Sequence, residues 1–299
     1  MIALLSQSPP LFIGVVFVLG LLVGSFLNVV IHRVPVMLER AWRRELASLD
    51  DDKGNATPPP DEPRYDLIRP ASACPGCRAP IRAWQNIPVL SYLMLKGRCA
   101  NCKRPIGLRY PIIELLTAVM SAVVAWKLGF GWAAAAGLVF TWMLIALAFI
   151  DIDTQLLPDS LTLPLLWIGL ACALWLPQVA GARLPVDLRD ALIGAIAGYL
   201  SLWLVYHLFR LVTGKEGMGF GDFKLLAALG AWLGWQMLLP VILGAAGVGA
   251  VVGLIAIVLR KRETGVPMAF GPYLAAAGWL MLVIGPELVS RYLSLYGPR

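Results

Sequence analysis

The sequence predicts an all-α polytopic membrane protein with about eight transmembrane helices and one cysteine-bearing loop. Three observations carry that expectation. Of 299 residues, 59% are hydrophobic and only 14% are charged, where a soluble domain carries about a quarter charged. The mean hydropathy is +0.75. Apolar stretches long enough to span a bilayer recur along the chain, and the basic residues gather between them. This composition excludes a soluble globular enzyme, a disordered chain and a disulfide-dense secreted scaffold.

The first apolar stretch, Leu11 to Ile31, is long enough for the roughly 30 Å hydrocarbon core, and residues 1–31 form the first segment. The first basic residue is Arg33, so no positive charge precedes this stretch as it would in a secretory signal peptide. A polar region follows at 32–110. Within it, 41–66 reads as a flexible insertion, because its centre at 50–63 is acidic, Pro-rich and nearly free of apolar side chains. Such a stretch buries too little surface to offset its ordering entropy. Residues 71–110 contain Trp84, Ile87, Val89, Leu90, Tyr92, Leu93 and Leu95 between two cysteine pairs, enough for a small folded knuckle. The remainder, 111–299, reads as a multi-helix membrane domain with spans near 111–129, 132–150, 160–177, 190–210, 223–238, 240–259 and 272–290. No internal repeat, phosphate loop or dinucleotide fingerprint stands out.

The net charge of +7 points first to loops facing anionic lipid and only then to nucleic acid, which is not an expected partner. With the N-terminus outside, the inner segments are 32–110, 151–159, 211–222 and 260–271. Of the 25 Lys and Arg residues, 14 lie in the first polar region, and only Lys127, Arg183, Arg189, Arg291 and Arg299 fall on the outer side. That asymmetry predicts a cytoplasmic loop and a periplasmic N-terminus.

Four of the five cysteines fall as Cys74-Pro-Gly-Cys77 and Cys99-Ala-Asn-Cys102. A two-residue gap lets both thiolates of a pair turn onto one metal, and two such pairs make a tetrahedral zinc site. Four thiolates leave no open coordination position, so the metal is structural. A loop in the reducing cytoplasm disfavours disulfides, although a redox dithiol pair and a metal-free loop remain alternatives. Cys172, inside an apolar span, reads as a small buried hydrophobe.

Carboxylates at membrane depth are expensive and are site candidates by default. Asp151-Ile-Asp153 with Pro158-Asp159 follows the third span, and Gly217-Met-Gly219-Phe-Gly221-Asp222-Phe-Lys224 opens the sixth. Both clusters lie at cytoplasmic span ends, so they can meet. Two carboxyl groups in contact share one proton near neutral pH, and such a pair can activate water and protonate a leaving amine. The glycines before Asp222 would let an extended substrate approach closely. Plainer readings stand beside these. Asp159 looks like an N-cap, Asp153 a solvated interface charge and Glu114 an N-terminal helix charge. His32 and His207 look interfacial or packed. Asp222 could cap its helix, though capping needs no glycine at three alternate positions.

Taken in order, Gly24-Ser-Phe-Leu-Asn28-Val-Val, Arg33-Val-Pro35, both cysteine pairs, Gly97-Arg98-Cys99, Arg109-Tyr-Pro111-Ile-Ile-Glu114, Asp151-Ile-Asp153, Leu157-Pro158-Asp159, Gly219-Phe-Gly221-Asp222 and Phe270-Gly271-Pro272 resemble the bacterial type IV prepilin peptidases. These are leader peptidase/N-methyltransferases of the GxGD aspartic protease type. The resemblance implies cleavage of the leader of type IV prepilins and type II secretion pseudopilins at the inner membrane. It also implies methylation of the new N-terminal amine from S-adenosylmethionine. It maps the catalytic aspartates onto Asp151 and Asp222, and points to Lys96 and Gly97 for methylation. Shorter archaeal relatives keep the first aspartate but lack the later carboxylate, which argues against Asp159. No Rossmann-type methyltransferase domain is present, so a donor site must come from the first loop and nearby spans. The insertion at 41–66 departs from the family pattern. Competing readings are a peptidase without methyltransferase activity, a cation transporter with a zinc-regulated loop, or a non-enzymatic assembly factor. A transporter would place its carboxylates nearer the span centres and use broken helices.

Overall fold

The computed structural model describes residues 2–51, 64–176, 184, 186–215, 217–258 and 269–296. Among these residues the architecture is helical: α1 (Ile2–Gln7), α2 (Pro9–Asp51), α3 (Leu90–Met94), α4 (Arg109–Leu128), α5 (Trp132–Thr154), α6 (Asp159–Trp175), α7 (Leu188–Thr213), α8 (Phe220–Leu233), α9 (Leu238–Val258) and α10 (Gly271–Tyr296). A helix stands at each of the eight expected span positions. Five of them are long and apolar enough to cross a bilayer: α2, α4, α5, α7 and α9. Helices α6, with 17 residues, and α8, with 14, fall short of the roughly 20 residues a span needs. Helix α10 is 26 residues long, and its described side chains, through Gly285, form an apolar stretch. Among the described residues, five candidate spans thus stand by length and composition, against the eight expected.

One compact unit covers Val15–Met120. Its spine is α2, which does not stop at Ile31. It continues through Pro35 to Asp51 as one 43-residue helix. The stretch 41–51 is thus helical where a flexible insertion was expected. Trp42, Glu45, Leu46 and Ala47 sustain a helix, and the Glu39–Arg43 ion pair supports it at (i, i+4) spacing. Residues 52–63, the centre of that insertion, lie outside the described residues. Gly24 lets α2 press against α4, since a Cβ there would lie 2.7 Å from the Glu114 backbone. Asn28 Nδ2 donates to the Tyr110 carbonyl at 3.2 Å. Arg33 is buried, and its guanidinium donates to the carbonyls of Asp66 and Pro70 at 2.8 and 2.7 Å.

The other unit covers residues 1–14 and 121–299. Helix α8 is its core. Eleven of its 14 residues are buried, around the whole circumference, because α6, α7, α9 and α10 all pack on it. A short helix enclosed by others has no need to match bilayer thickness. The α7–α8 crossing is built from small residues: Gly194 and Gly230 stand backbone to backbone, and a Cβ on Gly198 would lie 2.6 Å from the Leu226 carbonyl. Without a hydrophobic force between helices in lipid, this close packing supplies the association energy. Trp232 lies on Gly169 of α6 and donates its indole N–H to the Leu165 carbonyl at 2.7 Å, so its polar edge is satisfied where it is buried.

Candidate active site

Asp151 lies in the last turn of α5 and Asp222 in the first turn of α8. They are 4% and 7% exposed. These positions at helix ends, not span centres, speak against the transporter reading. Helix α5 stops because Gln155 adopts a left-handed conformation, φ 55°, and its N–H bonds the Asp151 carbonyl at 2.9 Å. The chain then turns through Leu157 to Pro158, whose carbonyl accepts the N–H of Leu161 and of Thr162, both at 3.0 Å, to start α6. Leu157 is the hub of the cluster. Its side chain fills the space a Cβ would take on Gly221, at 2.7 Å, and on Gly271, at 3.2 Å. The α5–α6 turn, the start of α8 and the start of α10 therefore meet around one leucine. The first N–H of α10, from Gly271, donates to Asp151 Oδ2 at 3.0 Å. A carboxylate there faces the positive end of a helix. Gly271 bonds Asp151, Gly221 directly precedes Asp222, and both glycines pack on Leu157, so the two carboxyl groups belong to one cluster.

The neighbouring polar residues have other partners. Asp159 is the first residue of α6, with Pro158 at the cap position, and it makes no cap hydrogen bond. Its carboxylate instead takes both contacts from Lys224 Nζ at 2.7 Å, which corrects the N-cap reading. Asp153 is exposed. His207 stacks on Trp203 with ring centroids 4.1 Å apart, which is packing, as expected; His32 is exposed. Two of the three glycines before Asp222 serve packing, since Leu157 fills the place beside Gly221 and the Phe209 ring that beside Gly217. Only Gly219 faces open space. The expected room for a close substrate approach is confined to that one position.

The Sγ atoms of Cys74, Cys77, Cys99 and Cys102 all lie within 4.8 Å of one another. The Cys74 and Cys102 sulfurs are 3.8 Å apart, about the edge of a tetrahedron with metal–sulfur bonds near 2.3 Å. The donor set thus fits a tetrahedral metal. Asn101 Nδ2 reaches the Cys77 sulfur at 3.6 Å. Backbone hydrogen bonding by Cys102 and Asn101 lowers the Cys99 thiol, while burial and the neighbouring thiols raise that of Cys102, so these sulfurs titrate as one group.

The two halves of this cluster are copies, contrary to the expectation of no internal repeat. Cys74-Pro-Gly-Cys77-Arg78-Ala-Pro80-Ile81 and Cys99-Ala-Asn-Cys102-Lys103-Arg-Pro105-Ile106 share cysteines, a basic residue, proline and isoleucine at equal spacing. Each folds alike. Cys74 N–H bonds the Ala79 carbonyl and Cys99 N–H the Arg104 carbonyl; Ile81 N–H bonds Ser72 and Ile106 N–H bonds Gly97. Arg78 and Lys103 both take positive φ, 56° and 60°. An eight-residue repeat used twice is too short to show as periodicity and becomes visible only on aligning the prolines.

Lys96 is exposed and Gly97 buried, directly after α3. Gly97 has φ +66°, and a Cβ there would lie 2.7 Å from the Tyr92 hydroxyl oxygen. Glu114 is not the N-terminal helix charge expected, since α4 starts at Arg109 and has no acidic residue in its first turn. It is 8% exposed and accepts the Val89 N–H at 2.7 Å, and Val89 itself holds φ 58°, a strained value for a β-branched residue.

Two family descriptions match this chain in tandem: the Bacterial Peptidase A24 N-terminal domain over residues 18–128 and the Type IV leader peptidase family over residues 138–254. The chain belongs to the type IV leader peptidase family. The peptidase A24 N-terminal match contains both cysteine knuckles, and the leader peptidase match contains Asp151 and Asp222. Curated relatives extend over nearly the whole chain. A Pseudomonas aeruginosa prepilin leader peptidase/N-methyltransferase is 52% identical over 98% of this chain and 97% of its own. One from Aeromonas hydrophila is 54% identical over 96% and 95%, and one from Neisseria gonorrhoeae 50% over 93% and 92%. No solved structure matches. This leader peptidase family member is thus a multi-pass helical protein with a buried aspartate pair and a four-cysteine cluster. Gly271 and Leu157 had not been singled out as site residues. The Phe270-Gly271-Pro272 motif held the signal, since Gly-Pro opening a helix frees an N-terminal N–H to face a carboxylate.

Proposed function

We propose that the chain cleaves the leader peptide from type IV prepilins and pseudopilins through Asp151 and Asp222, then methylates the exposed N-terminal amine. The observation that carries this reading is the convergence of the two buried carboxyl groups around Leu157, with Gly271 N–H on Asp151. The pair shares one proton. The ionised carboxylate takes a proton from water as the water oxygen adds to the scissile carbonyl, while the protonated partner donates toward the carbonyl oxygen. Collapse breaks the C–N bond and returns a proton to the leaving amine. Burial keeps bulk water from screening these transfers.

S-adenosylmethionine supplies the methyl group. Lys96 and Gly97 are the residues assigned to that step. Gly97 acts through shape, because any side chain there displaces Tyr92. Cys74, Cys77, Cys99 and Cys102 hold one structural zinc that joins the two knuckles into one loop. The protein lies in the bacterial inner membrane among lipids, with a periplasmic N-terminus and the aspartates facing the cytoplasm; nucleic acid is not a partner. The basic excess in 32–110 supports that orientation.

The deciding experiment uses purified full-length protein with a prepilin and with a pre-cleaved pilin peptide. Asp222→Ala should not cleave the prepilin but should methylate the pre-cleaved peptide, whose amine is already free. Changes at Lys96 or Gly97 should lower methylation and spare cleavage. If inserted Asp222→Ala fails on the pre-cleaved peptide, the two reactions share one site and the division is wrong.

A further inference from the structure

Tyr206 of α7 is 2% exposed, yet its hydroxyl has no hydrogen-bond partner among the described residues. A buried hydroxyl left unpaired costs free energy, and phenylalanine would fill the same space without that cost. The ring is wedged against the residues that bracket the second aspartate: its centroid lies 5.3 Å from that of Phe220 and 5.7 Å from that of Phe223. The α7–α8 register explains this placement. Gly194 meets Gly230 and Gly198 meets Leu226, so the helices run antiparallel, and Tyr206, two turns beyond Gly198, falls beside the turn that leads into Asp222. In that turn Gly219 alone has open space where a side chain would stand.

Resting on the peptidase reading above, we propose that Tyr206 is a substrate-positioning residue: its hydroxyl donates to a backbone carbonyl of the prepilin beside the scissile bond. An extended peptide entering past Gly219 carries carbonyls with no partner of their own; because the hydroxyl is enclosed in the free protein, it donates to one of them only as the peptide displaces its neighbours. The hydrogen bond is completed only when substrate is present, which accounts for a polar group kept unsatisfied in the free enzyme. Tyr206 transfers no proton; it holds the peptide in reach of the aspartates.

The test compares wild type, Tyr206→Phe and Asp222→Asn as full-length proteins in detergent, with purified prepilin as substrate. Tyr206→Phe keeps the ring and its packing. It should lose about tenfold in kcat/KM for cleavage, with a melting temperature equal to or above wild type. Cleavage at the wild-type rate by Tyr206→Phe, alongside a dead Asp222→Asn, overturns this proposal and leaves the aspartate pair standing. A loss of cleavage accompanied by a lower melting temperature assigns the hydroxyl to the fold and overturns it as well. Wild-type cleavage by Asp222→Asn instead removes the peptidase reading on which the proposal rests.

Discussion

The aspartate cluster and the cysteine cluster are built by opposite strategies. The cysteines belong to one short loop, and their geometry comes from local turns used twice: the same hydrogen bonds, the same positive-φ basic residue and the same proline in each half. Asp151, Leu157, Asp222 and Gly271 come from three helix ends and the α5–α6 turn, separated by up to 120 positions, and no local rule brings them together. The cysteine ligands run from buried to exposed, whereas both aspartates are buried. The loop can thus be organised by one metal, while the aspartates depend on how α5, α8 and α10 pack. Mutations should separate these modes, with all-or-none losses where chemistry is removed and graded losses where only placement shifts.

The largest effect belongs to the chemistry itself. Asp151→Asn and Asp222→Asn should each lower cleavage by at least about 10³-fold while still inserting in the membrane, as members of one catalytic unit do. Single-turnover cleavage of a prepilin measures this, and a variant within tenfold of wild type would break the assignment. Next comes placement. Gly271→Ala would put a Cβ 2.6 Å from Asp151 Oδ2, and misplacement by about an ångström costs on the order of 10²-fold. Gly247→Ala, with nothing within 4 Å of its Cβ, is the matched control and should be silent.

The cysteine cluster should respond on a smaller scale. Purified protein should contain about one zinc per chain, and Asn101→Ala, which removes the contact to the Cys77 sulfur, should weaken metal retention by roughly tenfold. Competition with a zinc chelator reads this out, and zinc-free protein with full cleavage and methylation would refute the metal assignment. Smallest of all is the Asp159–Lys224 ion pair, partly exposed at 54% and 31%. Asp159→Asn should change stability by about 1 kcal/mol or less and cleavage by a few-fold, as melting and cleavage rates can show. A loss as large as that of Asp222→Asn would make Asp159 part of the chemistry.

The sequence by itself determined the helical membrane class, a helix at each expected span position and the four-thiolate cluster. These follow from apolar runs and from a two-residue cysteine gap, both local properties of the chain. It also brought forward the carboxylates of 151–159 and Asp222, because a carboxylate beside an apolar run is conspicuous, while the choice of Asp151 among them came from the family resemblance. Tertiary structure decided the rest. Helix α8 looked like a span by hydropathy, but four neighbouring helices enclose it and bilayer thickness does not set its length. Asp159 and Asp222 looked alike as first-turn carboxylates, and only packing gives one to Lys224 at the surface and buries the other. Glu114 looked like an N-terminal helix charge, but it is buried in α4 with the Val89 N–H against it. The role of Gly221 was hidden because it depends on a leucine 64 positions away. Burial and long-range partnership are relations between distant parts of a chain, and no local pattern encodes them.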